Sequence, residues 1–383
     1  MAFYDGLFFF IVLGIVCIPA VFLGIWEKDR KNYILFLSLI FAFWVFRGTG
    51  IEFVYFIAYL FLEWHLIAIY QWSLRRFGKS RSIYVHFLIF SILPLATAKS
   101  SILIGHHWFA FVGISYITFR VVQIIIESYD GLIEKSSFAD TISFLIFFPS
   151  FSSGPIDRSR RFEKDIHRIY KRQEYLDILG AGLWKILLGI LYKFVLSDIA
   201  FTFLSSLKCS NRAVYLVLYA YLYGFYMFFD FAGYSLMAIG TAYVLGIRLP
   251  DNFNRPFISV DMKEFWDRWH ISLSHWLRDF LFSRFIMNAI KGRWFKERLS
   301  AASAGFLVNM LVMGIWHGLT EDYILYGLYH GILLALTEKY QKKSKFHKKY
   351  KQKLWYRCIS WAVTLNLVMF GFLIFSGKFL ESI

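Results

Sequence analysis

Along this 383-residue chain, long apolar runs contain a few ionisable side chains: Glu63, His65, Arg120, Glu127, Asp230, His270, His275, His317 and His330. Each costs about 2.5 to 3.5 kcal/mol in hydrocarbon on insertion scales, so each requires a partner or a task. Imidazole, with an unperturbed pKa near 6.5, is the group suited to take a proton from a hydroxyl at neutral pH. His317 ends the run Asn-Met-Leu-Val-Met-Gly-Ile-Trp-His, and the next apolar run begins after Gly-Leu-Thr-Glu-Asp. So short a connection predicts a tight helical hairpin holding His317 near Tyr323 and Tyr326. There it would serve as the general base for an oxygen nucleophile or as a satisfied structural histidine. His270 stands in Arg-Trp-His-Ile-Ser-Leu-Ser-His-Trp with His275 five residues on, and spacing alone does not choose between them. Asp230, in Phe-Phe-Asp-Phe-Ala-Gly-Tyr-Ser, is expected to offset a buried Arg or His or to orient an imidazole, and Arg120 to form a buried ion pair rather than a substrate clamp. Glu63 and His65, at i and i+2, face different sides of a helix and read as packing or interfacial residues. His106 and His107 read as surface residues near an outer face.

The elements that must position these groups follow from composition. The chain is 58% hydrophobic, 21% aromatic and 18% charged, with a mean hydropathy of +0.52, which excludes an ordinary water-soluble domain. Apolar runs over 7–26, 33–46, 51–73, 83–98, 102–126, 183–204, 214–246, 300–317, 322–337 and 354–376 predict an all-α polytopic membrane protein. About 10 to 11 transmembrane helices are expected. The net charge of +16 lies in short blocks between those runs, a topology signal rather than a nucleic-acid surface. Segments 27–32, 74–82, 157–172, 284–298 and 339–353 hold 27 Lys and Arg, against five in the opposite loops, which assigns the rich side to the cytoplasm. Run 7–26 has only Asp5 before it and Lys28, Arg30 and Lys31 after it, the reverse of a signal peptide; a retained span with its N-terminus outside is expected.

Two apolar stretches, 138–153 and 257–285, each lie between segments assigned to the same side, and are expected to be re-entrant or interfacial. The basic stretch 157–173 is amphipathic and reads as an interfacial helix on anionic lipid or as a docking surface for an acidic partner. Stretch 339–353 is equally basic without a periodic apolar face and reads as a solvated loop. Cys17, Cys209 and Cys358 stand far apart, without metal-ligand or disulfide spacing. No phosphate-binding glycine loop, dinucleotide fingerprint, serine elbow or zinc-hydrolase motif is present. A single membrane-embedded domain is expected, with N-terminal helices in 1–110, a core in 111–337, and a basic loop with a last helix in 338–383.

Six motifs in order carry a resemblance: Gly-Ile-Ser-Tyr-Ile-Thr-Phe-Arg (113–120), Phe-Phe-Pro-Ser-Phe-Ser-Ser-Gly-Pro-Ile-Asp-Arg (147–158), Phe-Asp-Phe-Ala-Gly-Tyr-Ser (229–235), Leu-Pro-Asp-Asn-Phe-Asn-Arg-Pro-Phe (249–257), Glu-Phe-Trp-Asp-Arg-Trp-His-Ile-Ser-Leu-Ser (264–274) and Met-Gly-Ile-Trp-His-Gly (313–318). Together they resemble the membrane-bound O-acyltransferase (MBOAT) family, and most of all its teichoic acid D-alanyl-transfer branch in Gram-positive bacteria. Polysaccharide acetylases of the family usually read Ser-Gly-Tyr-Ser-Asp where this chain has Ala232 and Leu236. The resemblance implies transfer of D-alanine from the phosphopantetheine thioester of a small acidic carrier protein, through the plasma membrane, toward lipoteichoic acid hydroxyls. It carries the two family histidines onto His317 and His270. Trp316, Tyr323, His330 and Asp230 become candidates for the surrounding layer, and Arg160, Arg161 and Lys164 for carrier docking. It implies no metal and no cofactor of the chain's own, and suggests a small membrane partner and an extracellular transferase downstream. An acetyl-CoA-dependent polysaccharide O-acetyltransferase, and a transporter or flippase without covalent chemistry, are the alternatives.

Overall fold

A computed structural model describes residues 4, 6–47, 49–103, 105 and 109–381; His106 and His107 lie outside them. Every regular element among the described residues is helical. Seven helices are long and apolar enough to cross a membrane: Gly6–Ile25, Ile51–Phe77, Arg81–Ser101, Arg172–Ser205, Arg212–Val244, Arg298–His317 and Leu354–Phe375. Lys31–Phe46 is apolar but has 16 residues, and Glu321–Lys343 supplies the expected run over 322–337. The helix expected over 102–126 is not one element. One helix ends at Leu103 and the next runs from Ile114 to Asp130. Between them Gly105, Phe109 and Gly113 have φ of 73°, 57° and 94°, left-handed backbone that no α-helix contains.

The chain forms two compact units. The first comprises Met1–Ile190 and Tyr234–Pro250. Its core is aromatic, with Phe41 stacked on Phe148 at 4.1 Å and Phe46 on Phe56 at 4.7 Å between ring centres. Stretch 138–153 does not form a span. It makes the helix Phe138–Leu145, whose first turn is capped by the Ser137 hydroxyl accepting from the Asp140 N–H, then a 3-10 turn at Phe148–Ser150 and irregular backbone. Buried irregular backbone leaves carbonyls that must find donors. Arg120, 1% exposed, supplies them: one guanidinium nitrogen donates to the carbonyls of Phe144 (2.7 Å) and Leu145 (2.8 Å), another to Ser150 O (2.6 Å) and Oγ (2.7 Å). Buried Asp157 supplies the opposite charge expected for Arg120, whose hydrogen bonds go to oxygens of the broken stretch; their partial negative charge at a helix end satisfies the fork. Gly154 lets this loop close, since a Cβ there would lie 2.6 Å from Ser150 Cα. Glu63 is fully buried, whereas the half-buried His65 turns to the carbonyl of Phe61 at 2.7 Å; the two share no site.

The second unit comprises Leu191–Gly233 and Asp251–Ile383. Stretch 257–285 is likewise broken, into a 3-10 turn at Pro256–Ile258, the helices Met262–Arg268 and Ile271–Leu277, and a π-helical segment at Arg278–Phe282. Stretch 339–353 departs from the expected loop. Glu321–Lys343 continues into it and a short helix, Lys345–Tyr350, follows. Lysine runs mask three aromatic anchors: Phe346, Tyr350 and Trp355 meet with ring centres 4.8, 5.4 and 6.1 Å apart.

Candidate functional site

The second unit gathers three histidines. His317 is the last residue of Arg298–His317, and Gly318-Leu319-Thr320 turns the chain into Glu321–Lys343. The hairpin is tight because its facing residues lack side chains. A Cβ on Gly314 would lie 2.3 Å from the Tyr323 carbonyl oxygen, and one on Gly327 would lie 2.5 Å from the Met310 oxygen. Small residues bring two helix backbones into contact where hydrocarbon surrounds them. The half-buried His317 ring then lies 6.0 Å from Tyr323, 6.4 Å from Tyr326, 4.7 Å from Trp316 and 5.0 Å from Phe375. The hairpin and its two tyrosines are as the spacing required; Phe375, which forms the opposite wall, had no sequence signal.

His270 occupies the break between Met262–Arg268 and Ile271–Leu277, with φ 43° and ψ 50°. A non-glycine residue held there costs on the order of 1–3 kcal/mol and persists only where surrounding contacts enforce it. Those contacts come from the Leu-Pro-Asp-Asn-Phe-Asn-Arg motif. Asn252 accepts from the Ile271 N–H (2.9 Å) through its carbonyl and from the Ser272 hydroxyl (2.6 Å) through its side chain, while the Asn254 N–H donates to Arg268 O (3.0 Å). Asp261 caps the preceding helix, accepting from the Lys263 and Glu264 N–H groups, both at 2.9 Å. The imidazole is 3% exposed and sits 4.7 Å from the Phe231 ring and 6.3 Å from the Trp316 ring; no protein group hydrogen-bonds its Nδ1. Trp316 therefore stands beside both His270 and His317. His275 points elsewhere, 3.9 Å from Asp267 with a side chain 38% exposed.

His330 is 1% exposed, with Tyr326 at 4.5 Å and Trp266 at 5.2 Å between ring centres, and neither ring nitrogen has a hydrogen-bond partner. Tyr326 touches both His317 and His330. Asp230 does not join this group. It pairs with Lys193, carried by the π-helical segment Tyr192–Leu196, rather than with the buried Arg or His expected. Lys193 lies in the predominantly apolar run 183–204, whose mean hydropathy concealed it. Among the described residues no group of three His, Cys, Asp or Glu stands close enough to hold a metal ion.

The basic docking candidates lie in the first unit on Ser159–Ile166. Lys164 is exposed, and the Arg160 side chain is 53% exposed, 3.7 Å from Glu127. Arg161 is tied to the buried Asp157, whose carboxyl is pushed up by burial against the opposing pull of that guanidinium.

The model of the MBOAT, membrane-bound O-acyltransferase family matches residues 30–380. The chain is 39% identical to the teichoic acid D-alanyltransferase of Bacillus subtilis (strain 168) over 98% of both chains. It is also 39% identical to that of Streptococcus thermophilus, over 98% of this chain and 94% of the other. A probable alginate O-acetylase AlgI of Pseudomonas syringae is 32% identical over 70% of this chain and 49% of its own length.

Proposed function

The chain belongs to the membrane-bound O-acyltransferase family and is a multi-pass membrane acyltransferase; we propose that it moves D-alanine from the phosphopantetheine thioester of a small acidic carrier protein, across the plasma membrane, toward hydroxyls of lipoteichoic acid. What supports the D-alanyl reading over polysaccharide acetylation is 39% identity, end to end, to two teichoic acid D-alanyltransferases, set against 28 to 32% identity to alginate O-acetylases that extend well beyond the matched part. The N-terminus lies outside in this reading, and the lysine- and arginine-rich segments face the cytoplasm, where Arg160, Arg161 and Lys164 meet the carrier. A small membrane partner and an extracellular transferase take the alanyl group onward.

The thioester is already activated, so the enzyme must align a hydroxyl, accept its proton and stabilise the tetrahedral oxyanion. His317 takes the proton as the oxygen attacks the thioester carbonyl; the tetrahedral oxyanion then collapses, the C–S bond breaks, and the His317 imidazolium returns that proton to the departing thiolate. Trp316, Tyr323 and His330 hold the imidazole in place. His270, buried beside Trp316, lines the path of the acyl group or supports the oxyanion. The single observation that carries this is the glycine-seamed hairpin presenting a half-buried His317 among hydroxyl-bearing Tyr323 and Tyr326. Proteoliposomes containing the chain, supplied with carrier bearing labelled D-alanine or with labelled acetyl-CoA, test it. Label should leave the carrier only in the first case; discharge of acetyl-CoA alone would favour the acetylase reading.

A further inference from the structure

A groove of about 620 Å³ opens in the second unit between Glu321–Lys343 and Leu354–Phe375, with none of the three histidines in its lining. Its two ends differ chemically. At one end stand Lys351, Arg357, His347, Tyr356 and Ser360; at the other the walls are Leu333, Val363 and Leu367. From Arg357 to Leu367 the wall runs about 15 Å along one helix. The roof over the polar end is the short helix Lys345–Tyr350, fixed by the His347 imidazole to Tyr356 OH at 2.9 Å and by Tyr356 to Tyr340 OH at 3.3 Å.

We propose that this groove holds an anionic phospholipid, its phosphate between Lys351 and Arg357 and one acyl chain along Leu333, Val363 and Leu367. Charge decides the headgroup. Lys351 and Arg357 are exposed, and stretch 339–353 carries eight lysines and no acidic residue. The one carboxylate lining the groove, Asp261, is already engaged by the Lys263 and Glu264 N–H groups and by the Gln341 amide at 2.9 Å. Basic pockets between helices at the end assigned to the cytoplasm suit anionic headgroups. The shape decides the tail: a polar mouth continuous with an apolar slot between two helices fits an amphiphile and gives a free phosphate no use for Leu333 and Leu367. Exposed Phe346 and Trp355 beside the mouth are the residues that settle at the headgroup level of a bilayer.

The full chain in nanodiscs of phosphatidylcholine, titrated with a labelled phosphatidylglycerol, tests this. The unmodified protein should prefer phosphatidylglycerol over phosphatidylcholine by roughly tenfold or more, two cations each contributing near the surface. K351Q/R357Q should abolish the preference. K348Q/K349Q, with equal charge loss on the neighbouring short helix Lys345–Tyr350 but outside the groove lining, should retain it. Ser360→Trp, which fills the slot and keeps both cations, should also lose binding. Equal affinity for the two lipids, or equal loss in the two lysine-containing double variants, would overturn the proposal. Displacement of the lipid by phosphopantetheine-bearing carrier, dependent on Lys351 and Arg357, would reassign the groove to the carrier arm and equally overturn it.

Discussion

Gly371 packs against His330 so closely that a Cβ at position 371 would lie 2.4 Å from the imidazole Nε2. The absence of one methyl group on Leu354–Phe375 therefore makes room for a buried histidine on Glu321–Lys343. Gly371→Ala must displace that ring. A cost of about 1–3 kcal/mol is expected, the range for overpacking a filled core. Thermal unfolding in detergent should show the Gly371→Ala loss largely cancelled in the H330A/G371A double variant, because the methyl then fills vacated space. Additive losses would show that the two positions act independently.

Arg120 fastens the broken stretch after Ile114–Asp130 through main-chain carbonyls. Arg120→Met should cost roughly 3–5 kcal/mol, as loss of a buried charged partner does. Lysine lacks the planar fork and should not rescue it. Hydrogen exchange across 144–153 is the direct measurement, with protection falling there before it falls elsewhere in the first unit.

Lys193 and Asp230 should behave as a couple. Each single neutralisation leaves the partner charge without its counterion in a largely apolar setting, whereas K193M/D230L removes both. Melting temperatures of the two singles and the double close the cycle, and the double is expected to be more stable than the sum of the singles predicts.

Charge reversal on Ser159–Ile166 should separate two roles. K164E changes an exposed side chain and should weaken carrier binding, increasingly at low salt, with little change in stability. R160E should weaken binding too, but it also sets a carboxylate beside the buried Glu127 and should cost some stability. R161E places two carboxylates together at the buried Asp157 and should lower the melting temperature as well. Binding isotherms at two salt concentrations, read beside melting curves, distinguish the two effects.

How much of this was legible in the sequence depended on the kind of interaction. The His317 hairpin could be read because so short a connection permits little else; that Gly314 and Gly327 seam it is a structural finding. The interruptions after Leu145 and at His270 were visible as prolines, or as charges within an apolar stretch. An opposite charge for Arg120 could be expected from its type, and Asp157 supplies it; the carbonyl oxygens that take its hydrogen bonds could not, because every residue has one and no side-chain pattern announces them. Hydropathy is blind to the sign of φ, so the apolar run 102–126 concealed turns at Gly105 and Gly113. Stretch 339–353 looked like a loop because its aromatic anchors are few, and they gain a function only when Trp355 folds back on Phe346. Contacts such as Gly371 with His330 join separate helices through shape alone and leave no local trace.

The central claim is that His317 removes the proton from the attacking oxygen. Its most direct test is the single-turnover rate of labelled D-alanine discharge from the carrier in proteoliposomes, comparing the unmodified protein with correctly inserted H317A that binds the carrier equally well. A fall of about 10²- to 10⁴-fold, the usual contribution of a general base, is the expected result. Discharge by H317A at the unmodified rate would contradict it.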